Sequence, residues 1–332
     1  MTADGQVVGN GSGRRIAAAG HPQLVLSVLI VNWNGGPLLE RCRDSVHEAL
    51  APRMAGQYEL VIVDNASRDD SITRATASHA ETVLRNTHNV GFGAACNQAA
   101  ARASGEFLLL LNPDCELRPG SVERCLAELR REDLPVGICG VALEDETGHV
   151  AQTCHRFPGF ASLLGSAVGL NSIWPRLADS RMVEWDHRSD RTVDHVIGAF
   201  YLIRAATFEA LGGFDERFFV YLEDLDLSLR ARRMGLLTRF VAAPRSFHLG
   251  GGVSRQVKAE RLFYATRSRM LYGFKHLPAW QAWIHAVMTL LCEPLARTIQ
   301  ALLRRSWQDL RFTWRGFALV YRDLPALWRA SR

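Results

Sequence analysis

Short apolar runs alternate with helical periodicity along the first third of the chain. Residues 24–31 and the four leucines at 108–111 are too short for ordinary helices and show no alternation. Such runs predict strands that are buried on both faces of a parallel sheet. Further strands are predicted at 58–63 and 82–85, and helices at 37–50, after 67 and at 94–103. The order β-α-β-α-β-α-β with short loops predicts a parallel sheet with right-handed crossovers.

The pattern is less regular after residue 119. It predicts helices at 119–131, 222–234 and 258–275, a short helix ending at 211, and strands at 136–143, 193–204 and 236–241. Residues 152–191 have no period, because Pro, Gly, Trp and charged residues alternate there. A long irregular segment inside a compact domain is usually functional or mobile. The sequence therefore predicts an α/β fold whose first half is of the nucleotide-binding type.

The carboxyl-terminal residues 277–332 differ in character from the rest. Tryptophan and arginine interleave there, at Trp280, Trp283, Trp307, Trp314 and Trp328 and at Arg297, Arg304, Arg305, Arg311, Arg315, Arg322 and Arg329. Apolar residues dominate 282–303, interrupted by His285, Glu293, Pro294 and Arg297. These interruptions disfavour a membrane-spanning helix. The composition favours amphipathic helices lying on an anionic membrane surface; two helices packed on the catalytic domain are the alternative.

Size and composition allow one large α/β domain with an appendage, or two small domains. The chain has 332 residues, 48% hydrophobic and 22% charged, with a formal net charge of +5. Its seven cysteines are scattered and never spaced as C-x-x-C, which predicts reduced thiols in a reducing compartment. Residues 1–23 lack the apolar run of a signal peptide and are expected to be a disordered leader. The Trp and Leu content of the basic tail argues against a nucleic-acid partner.

Asp114 lies just past the predicted end of the leucine strand. Pro113 has no amide hydrogen to donate to a ladder, so the strand must stop at Asn112. Ligands of open α/β sheets bind at the carboxyl ends of strands, where a carboxylate suits a divalent cation or a polar ligand. His248, in a distant Gly-rich loop, is a candidate further metal ligand or phosphate contact, although a lone loop histidine is more often only hydrogen-bonded. Asn, Pro and Asp are also ordinary turn residues, so a purely structural turn is the alternative.

A second acidic cluster, Glu223, Asp224 and Asp226, lies at the predicted start of a helix. The helix dipole favours negative charge there, which is a wholly structural explanation. Asp226 and Arg230 are spaced i,i+4 and can pair with each other, which leaves Glu223 and Asp224 without a local partner. Two carboxylate clusters suit a displacement at a sugar carbon. One supports the departing phosphate through a metal, and the other takes a proton from the incoming hydroxyl.

Six motifs occur in one order and together resemble a known family. They are Val31-Asn-Trp-Asn, Val63-Asp-Asn-Ala-Ser-Arg-Asp-Asp-Ser71, Asn89-Val-Gly-Phe-Gly-Ala-Ala-Cys-Asn97, Leu111-Asn-Pro-Asp114, Gly212-Gly-Phe-Asp-Glu216 and Tyr221-Leu-Glu-Asp-Leu-Asp226. Residues 25–276 thereby resemble the family 2 inverting glycosyltransferases, particularly the bacterial rhamnosyltransferase-like branch. The resemblance implies the GT-A fold, in which a Rossmann-like nucleotide half and an acceptor half share one continuous mixed sheet. The expected division is 1–23 leader, 24–276 GT-A domain and 277–332 helical appendage.

The resemblance assigns donor binding to most of these motifs. The implied positions are Val31, Asn32, Asn34, Asp64, Asn65, Asn89, Gly91, Gly93, Asn97, Asn112 and Asp114. Among them, Asp64 would hydrogen-bond the pyrimidine base, and Gly91 and Gly93 would let the backbone approach the ribose and diphosphate closely.

The resemblance also assigns the chemistry. Asp224 matches the catalytic base, with Glu223 beside it, and Asp114 matches the last carboxylate of an Asp-x-Asp metal motif. His248 and Ser254 resemble the His-x-x-Gly-x-Ser region near the diphosphate, with a spacing longer by one residue. The implied cofactor is a divalent cation, Mg²⁺ or Mn²⁺.

The metal motif departs from the family in one position. Its first residue is Asn112, so the site carries one charge fewer than a two-carboxylate site. A hard cation wants oxygen ligands, and we expect metal dependence with weaker binding. Nearby arginines are candidates to share neutralisation of the leaving diphosphate, namely Arg255, Arg261, Arg267 and Arg269.

The sequence thus indicates an inverting glycosyltransferase that moves a sugar, L-rhamnose in the branch it resembles, from a dTDP- or UDP-linked donor. The expected acceptor in cell-envelope glycan synthesis is polyprenyl-diphosphate-linked or a polysaccharide. The expected location is the cytoplasm, peripheral on the inner face of the cell membrane. One alternative is a sugar nucleotidyltransferase, whose Gly-rich loop with basic residues is not matched by 32–36. The other is a non-catalytic sugar-nucleotide-binding membrane scaffold, which does not need Asp224.

Overall fold

The computed structural model describes residues 24–75, 81–170, 180–250 and 257–331, so the leader at 1–23 lies outside the described residues. Its strands are β1 (Leu26–Asn32), β2 (Tyr58–Asp64), β3 (Thr82–Arg85), β4 (Phe107–Leu111), β5 (Cys115–Glu116), β6 (Val136–Glu144), β7 (Cys154–His155), β8 (Arg191–Val193), β9 (His195–Val196), β10 (Phe200–Arg204) and β11 (Leu237–His248). The main sheet has the order β3-β2-β1-β4-β10-β6-β11-β5, with β8 beside β11, and β7 pairs with β9 in a separate small sheet.

The described helices are α1 (Pro37–Met54), α2 (Ser71–Ala75), α3 (Phe92–Ala100), α4 (Ser121–Leu129), α5 (Phe160–Ala167), α6 (Ala205–Ala210), α7 (Glu223–Arg233), α8 (Lys258–His276), α9 (Ala279–Leu303) and α10 (Trp307–Ala330). Helix α1 shows how the local sequence determines where a helix begins and which of its faces is buried. Pro37 occupies the first turn, where its missing amide hydrogen costs nothing. Leu39, Cys42, Val46 and Leu50 then recur at helical spacing, and all four are fully buried.

Strand β4 lies inside the sheet and is buried on both faces, as predicted. Phe107, Leu109 and Leu111 belong to a core cluster that also contains residues of α1 and α4. Leu108 and Leu110 belong to a second cluster with residues of α3 and α7. Because side chains alternate along a strand, the uninterrupted leucine run fills both layers.

Polar residues from three strands meet at one edge of the sheet. Strands β1, β2 and β4 run parallel, so their carboxyl ends lie side by side. Asn32 and Asp64 are register partners at the ends of β1 and β2, and Val31 precedes Asn32 as a buried residue. Asn112 follows β4, and its amide donates to the Ala199 carbonyl at 3.0 Å. The polar residues that the sequence placed at the carboxyl ends of these strands therefore lie at one edge, as predicted.

The second half differs from its prediction in three places. The last strand, predicted at 236–241, extends to His248, which is therefore a strand residue and not a loop residue. The single strand predicted at 193–204 is wrong, because its residues are divided among β8, β9 and β10 in different pairings. The chain leaves the ladder near Gly198, whose amide donates to the Asp224 carboxylate instead of to a strand. Strand β10 then enters the main sheet antiparallel to both β4 and β6, which makes the sheet mixed. The described residues of the segment 152–191 also contain regular structure that was not expected, namely β7 and α5.

The carboxyl-terminal helices pack on the catalytic body. Leu225 of α7, Ala286 of α9 and Leu327 of α10 belong to one hydrophobic cluster. A buried ion pair joins α8 to α9, with Arg269 Nη2 2.7 Å from an oxygen of Glu293, whose side chain is 2% exposed. The helices at the carboxyl terminus therefore share a core with the helix that carries Asp224.

Candidate active site

The side chain of Asn32 ties together the ends of β1 and β2. Its Nδ2 atom lies 3.0 Å from Asp64 Oδ1, 3.0 Å from Ser67 Oγ and 2.8 Å from Ser71 Oγ. The Asn34 amide donates to Ser67 Oγ at 2.9 Å. Asn32 is fully buried and its amide nitrogen is used inside the protein. It therefore shapes the loop that follows β1 rather than presenting its amide nitrogen to a nucleotide.

Asn65 organises the next loop in the same way. Its Nδ2 donates to Asn89 Oδ1 at 2.9 Å and to the Gly91 carbonyl at 3.2 Å, and the Gly91 amide donates to Asn89 Oδ1. Gly91 has φ +92°, and a Cβ there would lie 2.5 Å from the Phe219 carbonyl oxygen. A close protein contact is thus enough to require this glycine, whereas the resemblance implied the approach of a ligand.

Helix α3 clamps the segment that leads to the acidic cluster. Asn97 Nδ2 donates to the Phe214 carbonyl and Asn97 Oδ1 accepts from the Phe214 amide, both at 2.9 Å. Asn97 Nδ2 also lies 2.9 Å from Glu216 Oε1. A Cβ at Gly93 would lie 3.3 Å from Phe214 Cβ. Asn97 and Gly93 therefore position residues 213–219 through direct protein contacts.

Asp114 and His248 face each other across the β5–β11 pairing. His248 is the register partner of Cys115, and the Leu249 amide donates to the Asp114 carbonyl at 3.1 Å. His248 Nε2 lies 3.3 Å from Asp114 Oδ1, and both side chains are 12% exposed. Nε2 makes no hydrogen bond within the described part of the chain. The two residues that the sequence proposed as metal ligands are thus brought together.

Cys115 lies beside this pair but is committed elsewhere. The ligand atoms of Asp114, Cys115 and His248 all lie within 4.8 Å of one another. The Cys115 thiol donates to the Ala199 carbonyl at 3.2 Å, and burial raises its pKa well above the ordinary value. A protonated, hydrogen-bonded thiol is a poor ligand for a hard cation.

Two of the arginines suggested for the leaving diphosphate hold other groups instead. Arg267 Nε donates to Asp323 at 2.9 Å, and Arg269 binds the buried Glu293. Arg261 is exposed on α8. Arg255 and Ser254 lie outside the described residues.

Asp224 lies at the amino end of α7, with both carboxylate oxygens held by backbone amides. Oδ2 accepts from the Gly198 amide at 2.7 Å, and Oδ1 accepts from the Leu225 amide at 2.8 Å. Burial raises the pKa of the Asp224 carboxyl, and these two hydrogen bonds oppose part of that rise. A fixed carboxylate with a raised pKa is a stronger base than an exposed aspartate.

The neighbouring acids have different surroundings. Burial, followed by the charge of Asp224, raises the pKa of Glu223 well above its ordinary value, and its Oε2 has no hydrogen-bond partner among the described residues. Asp226 is fully buried and pairs with Arg230 at 2.8 Å, as the i,i+4 spacing predicted. It also lies 2.7 Å from Lys275 Nζ and 2.7 Å from His276 Nε2. Asp226 is therefore a structural acid that joins α7 to α8.

A cavity of about 330 Å³ opens between the end of β4 and the start of α7. Its lining includes Asn112, Glu223 and Asp224; Asp114, two residues beyond Asn112, is not among the lining residues that the structure describes. The wall before α7 is formed by Tyr221 and Leu222, which have φ values of +70° and +67°. Such conformations are strained for bulky residues, and backbone strain of this kind is typical of functional sites.

Two histidines that the sequence analysis did not single out also line the cavity. His195 donates to or accepts from Ser228 Oγ through Nδ1 at 2.9 Å, and its Nε2 lies 3.6 Å from Asp224 Oδ2. Burial lowers the pKa of His195 to about 3, so the ring is neutral at neutral pH. The rings of His155 and His195 are 6.0 Å apart. His155 lies in the region where the sequence had no period and His195 in the segment predicted as a strand at 193–204, so no local spacing linked them to Asp224.

Comparison with known proteins adds to this geometry. A model of the family Glycosyl transferase family 2 matches residues 27–206. N-acetylglucosaminyl-diphospho-decaprenol L-rhamnosyltransferase of Mycobacterium tuberculosis is 30% identical over 275 residues, which cover 78% of this chain and 87% of that protein. Rhamnosyltransferase WbbL of Escherichia coli is 22% identical over 224 residues, with coverage of 65% and 81%.

Solved structures share the architecture at low sequence identity. The mannosyltransferase PcManGT from Pyrobaculum calidifontis, in complex with GDP-Man and Mn²⁺, matches with a TM-score of 0.51 at 18% identity, covering 94% of this chain and 86% of that one. GalNAc-T7 with UDP, GalNAc and Mn²⁺ matches with a TM-score of 0.56 at 17% identity, covering 92% and 58%. These neighbours and the mixed sheet confirm the expected GT-A fold.

The family match spans more than half of the chain, and the mycobacterial relative aligns over most of both proteins. Four of the six motifs, from Val31 to Asp114, lie within residues 27–206. The chain therefore belongs to glycosyl transferase family 2, and it is a hexosyltransferase.

Proposed function

We propose that this enzyme transfers L-rhamnose from dTDP-rhamnose, with inversion, to N-acetylglucosamine carried on a polyprenyl diphosphate. The name of the 30% identical mycobacterial relative gives the sugar and the acceptor class. The observation that carries the proposal is the Asp224 carboxylate. It is held by two backbone amides at the wall of a cavity that Asn112 also lines.

In the proposed reaction Asp224 is the general base. Each of its oxygens accepts one backbone hydrogen bond and retains capacity for a further donor. A hydroxyl of the acceptor donates to this carboxylate and attacks the anomeric carbon of the donor sugar. The new C–O bond forms as the bond to the diphosphate breaks, the proton passes to Asp224, and a nucleoside diphosphate leaves. The raised pKa of Asp224 makes it a better acceptor for that proton.

Asp114 and His248 fit a divalent cation. Two ligands that subtend a near-right angle at an ion about 2.1 Å away lie about 3 Å apart, close to the spacing of these side chains. His248 Nε2 is buried and lies 3.3 Å from Asp114 Oδ1. This nitrogen makes no hydrogen bond among the described residues. When bound, a divalent ion would neutralise charge on the donor diphosphate. Asn112 contributes no charge, so Asp114 supplies the carboxylate.

We further propose that the enzyme works on the cytoplasmic side of the cell membrane. A polyprenyl-diphosphate acceptor keeps its isoprenoid chain in the bilayer and presents only its diphosphate and sugar to water. The enzyme must then meet its acceptor at the membrane surface, which is consistent with the Trp- and Arg-rich carboxyl terminus.

The direct test is transfer with purified enzyme, a panel of nucleotide sugars, and N-acetylglucosamine diphosphate on a short, water-soluble prenyl chain. We expect dTDP-rhamnose to be turned over with release of dTDP, and NMR of the product to show an inverted anomeric centre. Release of pyrophosphate instead would indicate nucleotidyl transfer. Donor binding without turnover of any sugar in the panel would reject the proposed function.

A further inference from the structure

The exposed residues of α9 are all apolar. Its exposed residues are Ala279, Trp280, Trp283, Ile284, Val287, Leu291, Leu295, Ile299, Leu302 and Leu303. They recur mostly at intervals of three or four residues, so they form one stripe along a 25-residue helix. Leu291 is 62% exposed and Ile299 is 60% exposed. An apolar surface of this length on a soluble protein marks an interaction site.

The inner face of α9 is polar and packs on the protein. His285, Thr289 and Glu293 are at most 2% exposed, and Glu293 binds Arg269 and Arg297. His285 and Glu293, which interrupt the apolar sequence, are thus turned away from the stripe. Helix α9 is long and apolar enough by composition to cross a membrane, with a mean hydropathy of 1.3. Because its polar face is fixed against α8, a position lying along a membrane surface fits the packing better than a crossing.

Helix α10 adds an aromatic edge and an arginine edge beside this stripe. Trp307, Trp314, Tyr321 and Trp328 are exposed and spaced by seven residues, so they share one side of the helix. The rings of Trp283 and Trp328 are 4.9 Å apart, and Tyr321 Oη donates to the Leu290 carbonyl at 2.7 Å. These contacts place the aromatic edge directly beside α9.

Arginines follow the aromatic residues by one position. Arg315, Arg322 and Arg329 come directly after Trp314, Tyr321 and Trp328, and Arg311 lies on the same side. One residue turns a helix by about 100°, so the arginines form a row beyond the aromatic edge. Arg311 and Arg322 have no carboxylate partner within the described ranges.

We infer that α9 and α10 together form a docking surface for an anionic lipid bilayer, with α9 lying in the membrane plane. This inference rests on the proposed lipid-linked acceptor. The apolar stripe enters the acyl region, the aromatic edge lies at the interface, and the arginine row meets lipid phosphates. The order apolar, aromatic, cationic across two packed helices matches the order of layers met on leaving a bilayer. A second copy of the chain would not require an arginine row along the border.

The docking surface also lies close to the cavity. Trp280, at the start of the stripe, packs against Phe160 with ring centroids 5.5 Å apart. Phe160 is five residues from His155, which lines the cavity, a distance of at most about 18 Å along an extended chain. An acceptor whose prenyl chain stays in the bilayer can therefore present its diphosphate and sugar to the cavity.

The test is flotation of the full chain with vesicles of phosphatidylcholine alone or mixed equally with phosphatidylglycerol. We expect salt-sensitive binding to the anionic vesicles. Leu291→Glu combined with Ile299→Glu should weaken it by about tenfold or more, and Arg311→Glu with Arg322→Glu should remove its salt sensitivity. The matched controls are Met234→Glu, an exposed apolar residue at the end of α7, and Arg102→Glu, an exposed arginine after α3; both should bind as the unmodified chain does.

Each variant is also assayed for transfer to the water-soluble acceptor, where the docking variants should keep full activity. That result separates the two proposals, because loss of vesicle binding with intact transfer affects only the docking surface. Unchanged vesicle binding by the Leu291→Glu, Ile299→Glu variant would overturn the inference. A second result would also overturn it. In that result the unmodified chain does not bind vesicles but forms a dimer in analytical ultracentrifugation, and the Leu291→Glu, Ile299→Glu substitutions dissociate this dimer.

Discussion

The Gly198 amide donates a 2.7 Å hydrogen bond to Asp224 Oδ2. Gly198 lies in the break between β9 and β10, so a discontinuity in the strand region supplies a donor to the proposed base. A Cβ at Gly198 would lie 3.0 Å from Oδ2 and 3.4 Å from Asp224 Cβ. The absence of a side chain at Gly198 therefore allows the Asp224 carboxylate to approach the backbone this closely.

Replacing Gly198 with alanine should displace Asp224 while leaving the nucleotide side intact. We expect kcat to fall about tenfold or more, because a small misplacement of a reacting group is costly. The donor Kd, measured by calorimetry, should not change. Gly159→Ala is the control, since a Cβ there meets nothing within 4 Å. A weaker donor Kd with unchanged kcat would contradict this assignment.

Asp224→Asn removes the proton acceptor but keeps the size of the side chain. We expect transfer to fall by about a thousandfold with nearly unchanged donor binding. In the unmodified enzyme kcat/KM should rise with pH through the pKa of Asp224, which burial raises above 3.8. The pH–rate profile measures this limb. Equal loss of donor binding and transfer in Asp224→Asn would reject Asp224 as the base.

Asp114→Ala and His248→Ala should each weaken Mn²⁺-dependent donor binding. We expect each substitution to weaken donor affinity by more than the roughly tenfold loss that follows removal of an outer-shell partner of a metal. Calorimetric titration of donor at fixed Mn²⁺ concentrations measures it. Cys115→Ser is the matched control, because a serine hydroxyl can still donate to the Ala199 carbonyl. If donor affinity keeps its Mn²⁺ dependence in Asp114→Ala, the proposed site is wrong.

Asp226→Asn should destabilise the fold. Burial disfavours the charged form of Asp226, but His276, Arg230 and Lys275 outweigh it and lower the pKa. The stabilisation is present above the unfolded pKa and is lost as pH falls through the folded pKa. Breaking such a buried pair costs about 3–5 kcal/mol, measurable by urea denaturation at pH 7. Asp133→Asn, whose partner Arg131 is on the surface, should change the free energy of unfolding far less.

The contribution of Glu223 to stability should depend on pH in the opposite sense to that of Asp226, and Glu223→Gln tests this. Burial and the charge of Asp224 raise the pKa of Glu223, so its contribution to stability is complete below the unfolded pKa and lost as pH rises. The variant should therefore gain about 1 kcal/mol over the unmodified chain at pH 8 and little at pH 5. Thermal unfolding at both pH values measures the difference. A gain that is equal at the two values would show that charge is not the cause.

Several features of the site could be predicted because they depend on local sequence. The leucine run at 108–111 predicted a strand buried on both faces, and Pro113 correctly ended it. Parallel strands then brought Asn32 and Asp64 to one edge. The sequence did not show the contact of Gly91 with the backbone of Phe219, because the two residues are distant along the chain.

The sequence by itself determined the order of buried strands, the family motifs and the two clusters of acids, since buried runs, breakers and spacing act over a few residues. Only the tertiary structure decided which groups meet. Gly198, His195 and Asp224 converge from separate elements, and the polar residues of α9 turn inward to leave one apolar face. Such contacts depend on how the layers of the fold pack against each other. The hydrogen bond between residues 198 and 224, for example, corresponds to no periodic pattern in the sequence.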